Sequence, residues 1–129
     1  MSASVKVLRL YADAAGATSF DDFEIARELT NFAPPAAPFP ASAVATATGY
    51  TVLRLPVGWS GAKHPSPKRQ ILFCLAGKVR VTPDIGEPRT VGIGEAWLME
   101  DTFGGGHTTE VISDVPFDAV VVQLPNAPD

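Results

Sequence analysis

The chain has 129 residues, enough for one domain with one core. Hydrophobic residues make up 46% and charged residues 19%, a balance that excludes a disordered chain and predicts a packed one. The net charge of −4 argues against nucleic acid as a partner, and a single cysteine excludes an internal disulfide and a cysteine-based structural zinc site.

The opening, MSASVKVLRL, is too short and too polar for a secretory signal. No apolar run approaches the ~20 residues that cross a bilayer. One unpaired cysteine, Cys74, fits a reducing compartment. Together these features predict a soluble cytoplasmic protein without nucleic-acid or membrane partners.

In chain order the residue choice is that of a β protein. Val5 to Tyr11 reads as a strand. TSFDDFEIARELTNF is consistent with alternation or with a helical face, and the extended reading is favoured, with at most a turn of helix. FAPPAAPFPAS, with Pro34, Pro35, Pro38 and Pro40, excludes helix and central strand and predicts an extended crossing. The 33 residues before it are too few for a core of their own, so no domain boundary falls there.

From Gly49 the strand signal sharpens. GYTVLRLP is a strand that stops at Pro56. RQILFCLAGKVRVT reads as a hairpin turning at Ala76-Gly77. DIGEPRTV is a further turn and strand. GIGEAWLME turns at Gly94 and runs through Trp97 and Leu98, and HTTEVIS and FDAVVVQL close the set. Roughly eight short strands at regular spacing predict a sandwich or barrel. Gln70, Leu72 and Cys74 share one face of their strand; Ile71, Phe73 and Leu75 share the other. A strand apolar on both faces is buried on both, with one side in a lumen and the other against a second sheet or a second subunit.

The stretch from Gly58 to Gly77 resembles the first motif of the cupins: a glycine, His-x-His, a glutamate a few residues on, then a hairpin glycine. Here Gly58 leads, His64 takes the first histidine position, Ser66 the second, Gln70 the glutamate and Gly77 the final glycine. The second motif runs from a glycine through a turn to a histidine; Gly94 and His107 match its ends, with EDTFGGG in place of its Pro-x-Gly turn. FAPP, HPSPKRQ and EDTFGGGH are also similar to segments of a group of small bacterial cupins of unassigned function. The resemblance runs from about Phe32 to the end of the chain.

It implies an all-β cupin barrel (a double-stranded β-helix, or jelly roll) with an extended N-terminal segment. Residues 1–129 then form a single domain, with N-terminal strands and the Pro-rich crossing in 1–47 and the barrel core in 48–125. Cupins of this kind hold a divalent metal on three histidines and a glutamate. Two of those positions are histidine here, so the resemblance implies a partly degenerate site of His64, Gln70 and His107 for iron, nickel, copper or zinc. Glu95, Glu100 and Asp101 are candidates for a missing carboxylate, with Asp101 best placed. The expected ligand pocket comprises His64, Gln70, Cys74, Trp97, Asp101 and His107. A homodimer is also implied, because the N-terminal strand of small cupins often joins a partner's sheet.

Two functions follow as expectations: a metal-assisted oxygenase or isomerase acting on a small molecule, or a metal-free barrel that binds or senses a small ligand. Lys63, Lys68 and Arg69 read as solvated charges rather than a cationic rim. Gly104-Gly105-Gly106 lacks the strand and helix of a phosphate loop and is expected to be a flexible turn at the pocket mouth. Cys74 sits in an apolar run and reads as a buried structural thiol. Trp59, Trp97 and Tyr50 are expected in the core, with any pocket wall a secondary role.

Overall fold

A computed structural model describes residues 2–126, which contain strands and turns but no helix. The strands are β1 (Ser2–Ala12), β2 (Thr18–Thr30), β3 (Phe39–Ala41), β4 (Gly49–Leu55), β5 (Gln70–Ala76), β6 (Lys78–Thr82), β7 (Arg89–Gly92), β8 (Ala96–Met99), β9 (Thr108–Val111) and β10 (Phe117–Gln123). The segment TSFDDFEIARELT is extended throughout, as β2. Its alternate residues pair along the whole length of β1, from Ser2 opposite Glu28 to Ala12 opposite Thr18. The prolines act as expected. Only the three residues around Pro40 form a strand, and it lies on a sheet edge, where a missing N–H costs no ladder bond.

Seven strands form one sheet in the order β3-β2-β1-β8-β5-β10-β4, and three form a second in the order β7-β6-β9. The two sheets share one core. Leu10, Leu72, Trp97, Met99, Phe117 and Val121 come from the large sheet, and Val79, Val81, Val91 and Val111 from the small one. Both sheets end in open edges, so the architecture is a two-sheet all-β fold rather than a closed barrel.

The expected hairpin at Ala76-Gly77 is a corner instead. β5 pairs with β8 and β10, whereas β6 pairs with β7 and β9 in the other sheet. Gly77 has φ of +76°, and a Cβ there would lie 2.5 Å from the carbonyl oxygen of Pro116. Glycine thus lets the chain turn from one sheet to the other against the start of β10. A hairpin and a corner place the same residues in sequence, and only the partner strands tell them apart.

The expectation that a second sheet or a second subunit covers the outer face of β5 is narrowed, because among the described residues no second sheet lies there. Gln70, Leu72 and Cys74 face the core, but Phe73 is 43% and Leu75 55% exposed on the outer face of the large sheet.

Candidate functional site

His64 and His107 come together because the two segments that carry them meet as an antiparallel bridge. The His64 N–H donates to the His107 carbonyl at 3.1 Å, and the His107 N–H donates to the His64 carbonyl at 3.0 Å. Their ring centroids are 5.3 Å apart. The bridge is tight because Gly106 precedes His107. A Cβ on Gly106 would fall 2.2 Å from the carbonyl carbon of His64. The run Gly104-Gly105-Gly106 is accordingly a clamped loop, contrary to the expected flexible turn. The Gly105 N–H donates to the carbonyl of Gly16, and a side chain on Gly105 would collide with the Asp84 carboxylate.

Both histidines line a cavity of about 160 Å³ between the sheets. Its walls are Leu53 and Leu55 of β4, Gln70 and Leu72 of β5, Trp97 and Met99 of β8, Thr109 of β9, and Phe117 and Val121 of β10, with Trp59, Ser66 and Pro67 from the connection before β5. Most of this lining is apolar, and the polar groups gather around the histidine pair. Inward-facing alternate residues of neighbouring strands produce this surface, since Gln70 lies opposite Met99 and Leu72 opposite Trp97 in the ladder.

His107 is 3% exposed, and behind it lies Asp101, which has no exposed surface. Asp101 accepts from His107 Nδ1 at 2.6 Å on one oxygen and from Ser66 Oγ at 2.8 Å on the other. The Ser66 N–H also donates to the Asp101 carbonyl. An ionised carboxylate can only accept, so the ring donates from Nδ1, and in the neutral imidazole Nε2 keeps its lone pair. His64, the solvent-exposed member of the pair, holds its Nδ1 2.7 Å from the carbonyl of Pro65, so Nδ1 donates and, in the neutral ring, Nε2 is the acceptor.

Of the expected site residues, His64, Gln70, Trp97 and His107 do line one cavity. Asp101 does not: it stands behind His107, with both oxygens engaged, as the partner of a lining residue. Cys74 is also removed from the pocket. It shares the inner face of β5 with Gln70, but four residues along a strand is roughly 14 Å. Its sulfur packs by the carbonyls of Ala76 and Gly77 at the corner, and burial pushes its thiol pKa up. Ser66, which stands where the motif has a second histidine and is not among the expected pocket residues, belongs to the site, and its motif position is the signal for it. Trp59 also reaches the cavity, whereas Tyr50 is 76% exposed on the outer face of the sheet.

The expected ligands for a metal are two imidazoles and an amide, with no carboxylate. The amide nitrogen of Gln70 points at the Met99 sulfur, 3.2 Å away. Glu95 is taken by the Gly92 N–H, and Glu100 by Arg9 and Arg69. Among the described residues no group of three His, Cys, Asp or Glu side chains is arranged to hold a metal ion. A neutral donor set leaves a divalent charge uncompensated, so a metal on these residues would be held more weakly than on a set with a carboxylate. Of the cations beside His64, Lys63 pairs with Asp84 and Arg69 with Glu100.

One further polar group is buried at the cavity. Trp97 Nε1 has no hydrogen-bond partner among the described residues, and its ring meets that of His107 edge-on at 5.2 Å.

No family model matches the chain, and no curated protein matches it. Among solved structures it is similar to a conserved protein of unknown function from Streptococcus pyogenes, at 24% identity over 67% of this chain and 72% of that one, with a TM-score of 0.46. A likeness at that level carries no argument about what this chain does.

Proposed function

We propose that the cavity is a metal-free binding site for a small, mostly apolar molecule carrying one hydrogen-bond donor, received by Nε2 of His107. The observation that carries this reading is His107, backed by the buried Asp101, in the wall of a mostly apolar cavity. Apolar walls supply affinity through burial, and a few placed polar groups supply orientation. A cavity of about 160 Å³ is close to the ~150 Å³ known to admit benzene, so the ligand class is a single small ring or its aliphatic equivalent. Asp101 supports His107 as a proton acceptor, because its charge offsets the positive charge that grows on the ring as it takes a proton. The same residues would therefore serve in binding or as a general base.

Phenol and benzene test this reading in a calorimetric titration. Phenol should bind about tenfold tighter than benzene, the worth of one well-made hydrogen bond, and His107→Ala should abolish the difference. Equal affinities, or no saturable binding of either, would sink it.

A second reading has one observation in its favour. Both histidines have Nδ1 occupied and Nε2 free, the state in which imidazole binds metal. On this reading His64, Gln70 and His107 take up a divalent ion, and the activity is that of a metal-assisted oxygenase or isomerase. Elemental analysis of untagged protein beside a His64→Ala/His107→Ala control separates the two.

The cupin-type jelly roll is proposed on the same footing. Its supports are the two motif histidines meeting over one cavity and the glycine corner at which β5 passes into the second sheet. The unpaired Cys74 supports a reducing, cytoplasmic location.

We further propose that the outer face of the large sheet docks a second copy of this chain. It exposes Val5 and Phe23 at one side, Phe73 in the middle, and Tyr50 and Val52 at the other. Two charge pairs on that face are satisfied within the chain, Arg9 with Asp21 and Arg54 with Asp118. A self-complementary interface brings a face against itself, and paired charges avoid like-charge contact there.

A further inference from the structure

Thr18, at the start of β2, is remote in sequence from both histidines and has no exposed surface. Its hydroxyl donates to the carbonyl of Gly106 at 2.6 Å and accepts the Asp84 N–H at 2.9 Å. Its N–H donates to Asp84 Oδ2 at 3.0 Å, and its carbonyl accepts the Ile85 N–H at 2.9 Å. Asp84 in turn pairs through its other oxygen with Lys63, the residue before His64. One buried threonine thus ties the turn after β6 to the peptide that immediately precedes His107.

We infer that Thr18 is a positioning residue for the histidine pair, holding the Gly106 carbonyl so that His107 keeps its place between His64 and Asp101. The physical reason is that Gly106 is the weak point of that place. Its φ of +73° lies where glycine has a broad choice of conformations, and it has no side chain of its own to restrict the peptide. The Asp101 bond fixes the ring through Nδ1, and the His64 bridge fixes the backbone of His107 itself. Thr18 supplies the remaining restraint, on the residue in front. A hydroxyl suits the task because it is satisfied in both directions at once, as a donor to Gly106 and an acceptor from Asp84. Its importance for ligand binding rests on the pocket reading above; the positioning itself does not.

The test uses imidazole ¹⁵N signals of the full chain, which require no ligand. Thr18→Val keeps the shape and removes the hydroxyl, Thr18→Ser keeps the hydroxyl, and Asp84→Asn keeps an acceptor for the Thr18 N–H while removing the charge that pairs with Lys63. Thr18→Val should shift the His107 signals and broaden or lose its Nδ1–H proton, whereas Thr18→Ser and Asp84→Asn leave them as in the wild type. Phenol affinity, where phenol binds, should fall about fivefold in Thr18→Val alone. Unchanged His107 signals in a folded Thr18→Val protein would overturn the inference, as would an equal shift in Asp84→Asn. Should the valine variant not fold, the serine variant decides: wild-type His107 signals uphold the hydroxyl tether and displaced ones overturn it. A His107 shift with no phenol binding in any variant would uphold the positioning role and remove the pocket reading instead.

Discussion

Asp101 and His107 are joined by a 2.6 Å hydrogen bond in a place where neither side chain meets more than a trace of solvent. A carboxylate so placed needs both its oxygens satisfied, and Ser66 supplies the second bond. Asp101→Asn replaces one acceptor oxygen by a donor, and where that donor faces the ring His107 must give up its Nδ1 proton. We expect a loss of about 2 kcal/mol in stability, measured by urea unfolding, and a switch of the His107 proton from Nδ1 to Nε2, visible in imidazole ¹⁵N spectra. Phenol should then lose its preference over benzene.

Gly106→Ala tests the close crossing of the two histidine segments. The added Cβ meets the His64 carbonyl group, which is backbone and has nowhere to go, and φ is positive as well. A destabilisation of about 2 kcal/mol or more is expected, with displaced His64 and His107 signals. Gly86→Ala is the control for strain alone, because its φ is also positive but nothing lies within 4 Å of the added atom.

Acid should weaken the hairpin of β1 and β2 through Asp21. Its hydrogen bonds to the Arg9 guanidinium hold its pKa below the ordinary 3.8, with burial opposing. A depressed folded-state pKa contributes stability that is present above the unfolded value and is lost as pH falls below about 4 and through the folded value. The Asp21 side chain is 39% exposed, so the effect should stay under ~1 kcal/mol. Unfolding midpoints at pH 6 and pH 3 should differ less in Asp21→Asn than in the wild type.

Self-association should depend on Phe73. A charge at the centre of a self-complementary face meets its own copy, so Phe73→Glu should sediment as a monomer at concentrations where the wild type is a dimer. Its unfolding midpoint, measured at monomeric dilution, should move by no more than ~0.5 kcal/mol, since the side chain is substantially exposed within one chain. A wild-type protein that is monomeric at every concentration would remove the proposal.

The sequence by itself determined most of the strands. The apolar runs in GYTVLRL and FDAVVVQL, prolines at Pro40 and Pro56, and the two faces of QILFCLA are local properties, and local sterics and burial act on them directly. The two histidines were also legible as a pair, through the glycine-anchored motifs around them. Other assignments needed the tertiary structure. Whether Ala76-Gly77 is a hairpin or a corner depends on which strands pair, and pairing is settled by contacts distant in the chain. Asp101 read as an open carboxylate near a pocket mouth; it became the buried partner of His107 only when Ser66 and His107 converged on it. Thr18 carried no signal at all, because a threonine at a strand start is ordinary until Gly106, Asp84 and Ile85 are folded around it. Burial and hydrogen-bond satisfaction are properties of a place in the fold, and the chain makes such a place from segments that share no local pattern.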